Sequence, residues 1–112
     1  EEDPDATPLP VGEPVRDLAG RAGSRAYFRV EVPDGARDLT IRTDGGRGRT
    51  MLFLRRDRPP DLDAFDAAAV NGSTVHRIRR PGPAESGTYY VLLVARTRYR
   101  GVTLLATADV PD

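Results

Sequence analysis

Side chains able to carry covalent chemistry are few in this chain. The single histidine, His76, sits in the run STVHRIRR, whose neighbours supply no Ser/His/Asp order that a strand could bring together. A lone histidine on a strand is expected to pack or to face solvent rather than to act as a base. Cysteine is absent, so there is no disulfide framework and no thiol chemistry. Carboxylates gather in DLDAFD as Asp61, Asp63 and Asp66. Their spacing suggests an oxygen-rich loop, but the glycine and distal bidentate glutamate of a helix-loop-helix calcium site are missing, and a solvated acidic loop is expected. The GGRG stretch lacks the Gly-Lys-Ser/Thr ending of a phosphate loop and opens a strand, so no helix dipole would assist an anion. Asn71-Gly72-Ser73 matches a glycosylation sequon only formally. These residues point away from an enzyme, and they call for no cofactor and no metal.

Recognition chemistry remains. Every one of the 17 basic residues is arginine, and 17 acidic residues bring the net charge to zero. Codon bias in a GC-rich genome accounts for such usage, and so does a need for forked, bidentate guanidinium groups. With no net charge, no global field draws the chain to nucleic acid or membrane. The distribution is uneven: Glu1, Glu2, Asp3 and Asp5 open the chain, while six arginines crowd its last third. In RTRYR, strand spacing would put Arg96, Arg98 and Arg100 on one face and turn Tyr99 to the other. Tyr27, Tyr90 and Tyr99 also fall on expected strands, whereas Tyr89 fits the core.

The elements that would hold these groups are strands. RAYFRVEV alternates, with Phe28, Val30 and Val32 on the better core face; DLTIRT sets Leu39 and Ile41 inward; TMLFLR offers apolar residues to both faces. TYYVLLVA lacks polar alternation and is expected to be central and covered on both sides. A last strand, GVTLLATADV, follows Gly101. The expected core comprises Phe28, Val30, Val32, Leu39, Ile41, Leu52, Leu54, Ile78, Tyr89, Val91, Leu93 and Leu104. Turn signals such as PDGAR, DGGRG, RPPD, NGS and PGPAESG recur between the strands, among 11 glycines and 10 prolines. The pattern predicts an all-β antiparallel sandwich or jelly roll over residues 11–110, preceded by an acidic, proline-rich linker or terminus at 1–10. The one helical candidate, Leu62 to Val70, is short and is expected to form a single turn or a loop. No apolar run approaches the length of a membrane span, and no signal peptide is recognisable.

The order of these segments resembles the bacterial pre-peptidase C-terminal domain, a β-sandwich module of exported enzymes that is related to the collagen-binding domains of collagenases. The resemblance runs from about Leu9 to Ala108. It is carried by an aromatic strand ending in Val32-Pro33, a Leu-Thr-Ile strand leading to Gly45-Gly46, LFLRRDRPPDLDAFD, PGPAESGTYYVLLVA and YRGVTLLA. It implies a noncatalytic accessory domain, secreted or in the cell envelope, that aids secretion or maturation of a parent enzyme or binds an extracellular polymer, protein or polysaccharide. Because the related collagenase sandwich binds collagen through exposed tyrosines, the resemblance also implies Tyr27, Tyr90 and Tyr99 as candidate binding residues; the alternative is a lectin-like module for acidic polysaccharide, resting on the Arg/Tyr strand patch. Family members often read Gly-Gly-x-Gly-Asp-x-Asp-Leu-Tyr where this chain has Gly45, Gly46, Arg47, Gly48, Arg49, Thr50, Met51, Leu52 and Phe53. Arg49 and Met51 replace both aspartates, so the resemblance implies a calcium-type loop without its ligands. Two arrangements are open for this loop: Arg47 and Arg49 point into water, or Arg49 takes the ion's place and pairs with Asp44 or the acidic segment Glu1 to Asp5.

Overall fold

The computed structural model describes residues 7–9, 11–57, 60, 65–70, 75–83 and 87–109. Nine strands follow one another: β1 (Thr7–Pro8), β2 (Val15–Gly20), β3 (Arg25–Val32), β4 (Arg37–Asp44), β5 (Thr50–Arg56), β6 (Ala67–Val70), β7 (His76–Pro83), β8 (Gly87–Ala95) and β9 (Tyr99–Asp109). They form two sheets, ordered β1-β3-β8-β5-β6 and β2-β9-β4-β7. All pairings are antiparallel except β1 with β3. The inward faces of both sheets close on one apolar core, which makes an all-β sandwich.

All the core positions expected from period-two alternation are buried in that layer. β8 is the middle strand of the five-stranded sheet, and every residue from Val91 to Ala95 is buried. Val91 and Leu93 face the main core. Leu92 and Val94 face outward, into a second apolar cluster with Phe53 that Tyr27 and Met51 help to cover.

Three expectations meet a different geometry. Ala67–Val70, within the helical candidate, is a strand paired with β5; Leu62 to Ala64 lie outside the described residues. Alanine has little strand preference of its own, and here the open edge of β5 sets the conformation. The last strand begins at Tyr99 and runs through Gly101. Upstream, Thr7–Pro8 already pairs with Phe28 and Arg29, and Leu9 is buried in the core, ahead of Val11. Glu1 to Asp5 lie outside the described residues.

Asp17 and Asp38 adopt positive φ of 60° and 54° where the registers of β2 on β9 and of β4 on its two neighbours shift. Short polar side chains tolerate this left-handed conformation better than branched ones, and bulges here re-aim the strands.

Candidate functional site

Consecutive strands that belong to different sheets must cross between them, and three such crossings meet at one end of the sandwich. Residues 21–24 join β2 to β3, 45–49 join β4 to β5, and 96–98 join β8 to β9. Backbone hydrogen bonds tie them together. The Arg47 and Arg100 amides each donate to the other's carbonyl, at 2.9 and 3.1 Å. The Arg96 amide donates to the Arg49 carbonyl at 2.9 Å, Gly23 donates to Ala95, and Ala95 donates to Ser24. The Arg49 amide in turn donates to Thr97 Oγ1 at 3.0 Å.

The glycines of the GGRG turn permit this contact. Gly45, Gly46 and Gly48 have φ of 72°, 75° and 116°. A Cβ on Gly46 would fall against the Arg100 carbonyl oxygen and 2.8 Å from Val102 Cγ2; one on Gly48 would meet the Arg98 carbonyl oxygen and lie 2.8 Å from Tyr99 Cα. The turn is therefore a backbone-on-backbone junction against the start of β9.

This junction gathers Arg47, Arg49, Arg96, Arg98 and Arg100, all exposed. The structure brings together the arginines expected in RTRYR, but by a different route. Residues 96–98 form a crossing rather than a strand, so regular alternation does not place Arg96 and Arg98. Arg47 and Arg49 join them through the neighbouring crossing, a juxtaposition that sequence spacing could not reveal. A pocket there is lined by Arg47, Arg98, Tyr99 and Arg100.

Tyr99 is a correction. As an exposed binding residue it would stand clear of the sheet, whereas it is only 3 % exposed and belongs to the core. Its partner across the strands is Gly20, where a Cβ would lie 2.8 Å from the Tyr99 ring. The bare glycine makes room for the ring, and the ring covers the glycine. Burial pushes the Tyr99 hydroxyl above its ordinary value, so the folded state prefers the neutral phenol. That stability is fully present below the unfolded value of about 10 and is lost as pH rises through the higher folded value. In urea melts above about pH 10, the wild-type chain is expected to weaken more steeply than Tyr99→Phe; parallel declines would refute this assignment.

The calcium-type loop holds no carboxylate pair. Arg49 makes no ion pair among the described residues, and Asp44 is bridged instead by Arg42, at 3.3 Å on the exposed surface. Met51 packs against the outer apolar cluster. No group of three or more His, Cys, Asp or Glu able to hold a metal occurs among the described residues. His76 is buried; its Nε2 lies 3.0 Å from Thr50 Oγ1, and its backbone amide donates to Thr43 Oγ1. It links the two sheets as a packed polar group.

Tyr27 and Tyr90 lie elsewhere, half-buried on the outer face of the five-stranded sheet. Cross-strand register stacks this face in rows: Arg25, Val94 and Met51; Tyr27, Leu92 and Phe53; Arg29, Tyr90 and Arg55. Phe65, 44 % exposed, tilts its ring onto Phe53 with centroids 5.2 Å apart. The result is an apolar and aromatic patch edged by guanidinium groups. Sequence reading placed the tyrosines but missed Phe65.

The model of the bacterial pre-peptidase C-terminal domain matches residues 24–95. The chain belongs to that family. Among its relatives, the alkaline serine exoprotease A of Vibrio alginolyticus is 34 % identical over 92 % of the chain, and an extracellular protease of Xanthomonas campestris is 33 % identical over 88 %. The chain spans only 20 % and 17 % of those proteins. The solution structure of vEP C-ter 100 superposes with a TM-score of 0.71 at 24 % identity, covering 91 % of this chain and 99 % of that one. The pre-peptidase C-terminal domain of a Bacillus anthracis collagenase superposes at 0.68 with 13 % identity, covering 96 % and 99 %. A periplasmic inhibitor of g-type lysozyme from Aeromonas hydrophila, PliG, shares the fold at 0.66 and 12 % identity, covering 93 % and 97 %.

Proposed function

We propose that this domain is the noncatalytic accessory module of an exported bacterial enzyme, and that it holds that enzyme to a polymeric protein substrate. Kinship with secreted bacterial proteases implies an extracellular or envelope location and a protease as the parent. The observation that carries the binding role is the outer face of the five-stranded sheet. There Tyr27 and Tyr90 stand among Arg25, Arg29 and Arg55 over an apolar floor. Rigid amphipathic rings with neighbouring guanidinium groups are the chemistry that concentrates binding energy at protein surfaces. A role in secretion or maturation of the parent would use the same fold without this patch.

Co-sedimentation with insoluble collagen and with insoluble casein tests the proposal. The chain is expected to pellet with at least one of them, and Tyr27→Ala/Tyr90→Ala to bind roughly tenfold more weakly while melting cooperatively. Absence of binding to both polymers, or equal binding by the double variant, would overturn it.

A further inference from the structure

The zero net charge hides a local excess. The crossings at 45–49 and 96–98 contain arginine, glycine and threonine and no carboxylate. With Arg100 they bring Arg47, Arg49, Arg96 and Arg98 to one junction, and none of the five has an ion pair among the described residues. Asp44, the carboxylate at the head of the turn, is engaged by Arg42. At the opposite end both signs are present, with Asp34 in the β3–β4 turn and Asp57 paired to Arg56 at 3.4 Å. Like charges on paired positions repel: Arg47 and Arg100 are directly bridged neighbours. An anion placed between them relieves that repulsion.

We infer that this arginine junction is a binding site for an acidic polysaccharide, with Arg47, Arg98 and Arg100 around the Tyr99-floored pocket engaging the anionic groups of the sugar chain. Guanidinium forks match the two oxygens of a carboxylate and also serve sulfate. A single carboxylate satisfies at most two forks, so five arginines spread over two segments suit a ligand with repeating anionic groups. Neighbouring strands lie about 4.8 Å apart, a spacing close to the length of one sugar ring. Other polyanions fit less well. The two crossings carry no apolar side chain to enter a lipid surface. The one aromatic residue at the pocket, Tyr99, is buried and offers no face for stacking a nucleobase. This site lies apart from the tyrosine face and does not rest on the protein-binding proposal, which has its own readout.

The test is titration of the chain with an alginate oligomer and with a sulfated dextran oligomer, with neutral dextran, polyglutamate and a single-stranded DNA oligomer of equal charge alongside. At least one of the two acidic glycans is expected to bind more tightly than polyglutamate and DNA. Binding should weaken with added salt and fall roughly tenfold in Arg47→Gln/Arg98→Gln/Arg100→Gln. Arg77→Gln/Arg79→Gln, exposed on β7, should bind as the wild type does, and thermal melts should show all variants folded. Failure of both acidic glycans to bind overturns the inference, as does tighter binding of polyglutamate or DNA. Equal loss in the β7 variant overturns the location.

Discussion

Replacing Gly48 with alanine is expected to destabilise the fold by about 3–5 kcal/mol, a large share of the 5–15 kcal/mol typical of a domain. Two costs combine. At φ of 116° an L side chain is strained, which costs about 1–3 kcal/mol. In addition, the new Cβ would run into the Arg98 carbonyl and the Tyr99 backbone, which cannot swing aside as a flexible side chain could. The crossing would have to lift off β9, weakening hydrogen bonds such as Arg47 to Arg100 and Arg96 to Arg49, each worth about 0.5–1.5 kcal/mol. Gly23→Ala separates the two costs. Gly23 has φ of 83° but open space where its Cβ would go, so it should lose only the conformational part, about 1 kcal/mol. Urea unfolding of both variants measures the difference; equal losses would mean that the close approach of the turn to β9 contributes nothing.

The same junction marks where sequence reading stops. Alternation along β3 and β4 was legible because each strand has one wet and one dry face, so Phe28, Val30, Leu39 and Ile41 fall on the buried side without knowledge of their partners. The glycines of the turn were legible as conformationally special, and the family resemblance agreed with the observed fold. What they touch was not legible, because the contact joins residues near 47 to residues near 100 and depends on which strands cross between sheets. The burial of Tyr99 was not legible for a related reason: its strand begins at the crossing, and Gly20, the partner that accommodates its ring, lies far away in sequence. Asp38 gave no sign that it would sit at a left-handed bulge, since aspartate is equally at home in a turn. Alanines in β6 lack any strand signature and take their form from the edge of β5.

Leu92 and Leu93 test how far the apolar character of β8 reaches. They are adjacent, point to opposite faces of the sheet, and are both fully buried. Leu93 lies between Ala26 and Leu52 in the main core, and Leu92 lies between Tyr27 and Phe53 in the outer cluster. A sandwich whose outer faces were ordinary wet surfaces would lose little on truncating the outward residue, within about 0.5 kcal/mol. Because Phe53, Val94, Tyr27 and Met51 enclose Leu92, Leu92→Ala removes buried methyl groups and leaves a void, as Leu93→Ala does. Both variants are expected to lose about 2–5 kcal/mol, with the spread set by how far the neighbours can collapse into the space. Phe65→Ala should cost less than either, since its ring is partly wet and stacks on Phe53 from outside. Urea melts of the three variants decide the matter. A Leu92→Ala loss below about 0.5 kcal/mol beside a large Leu93→Ala loss would show that the outer layer is surface. Comparable losses would show that the five-stranded sheet carries a dry layer on each side, with the aromatic patch as the outer skin of the second.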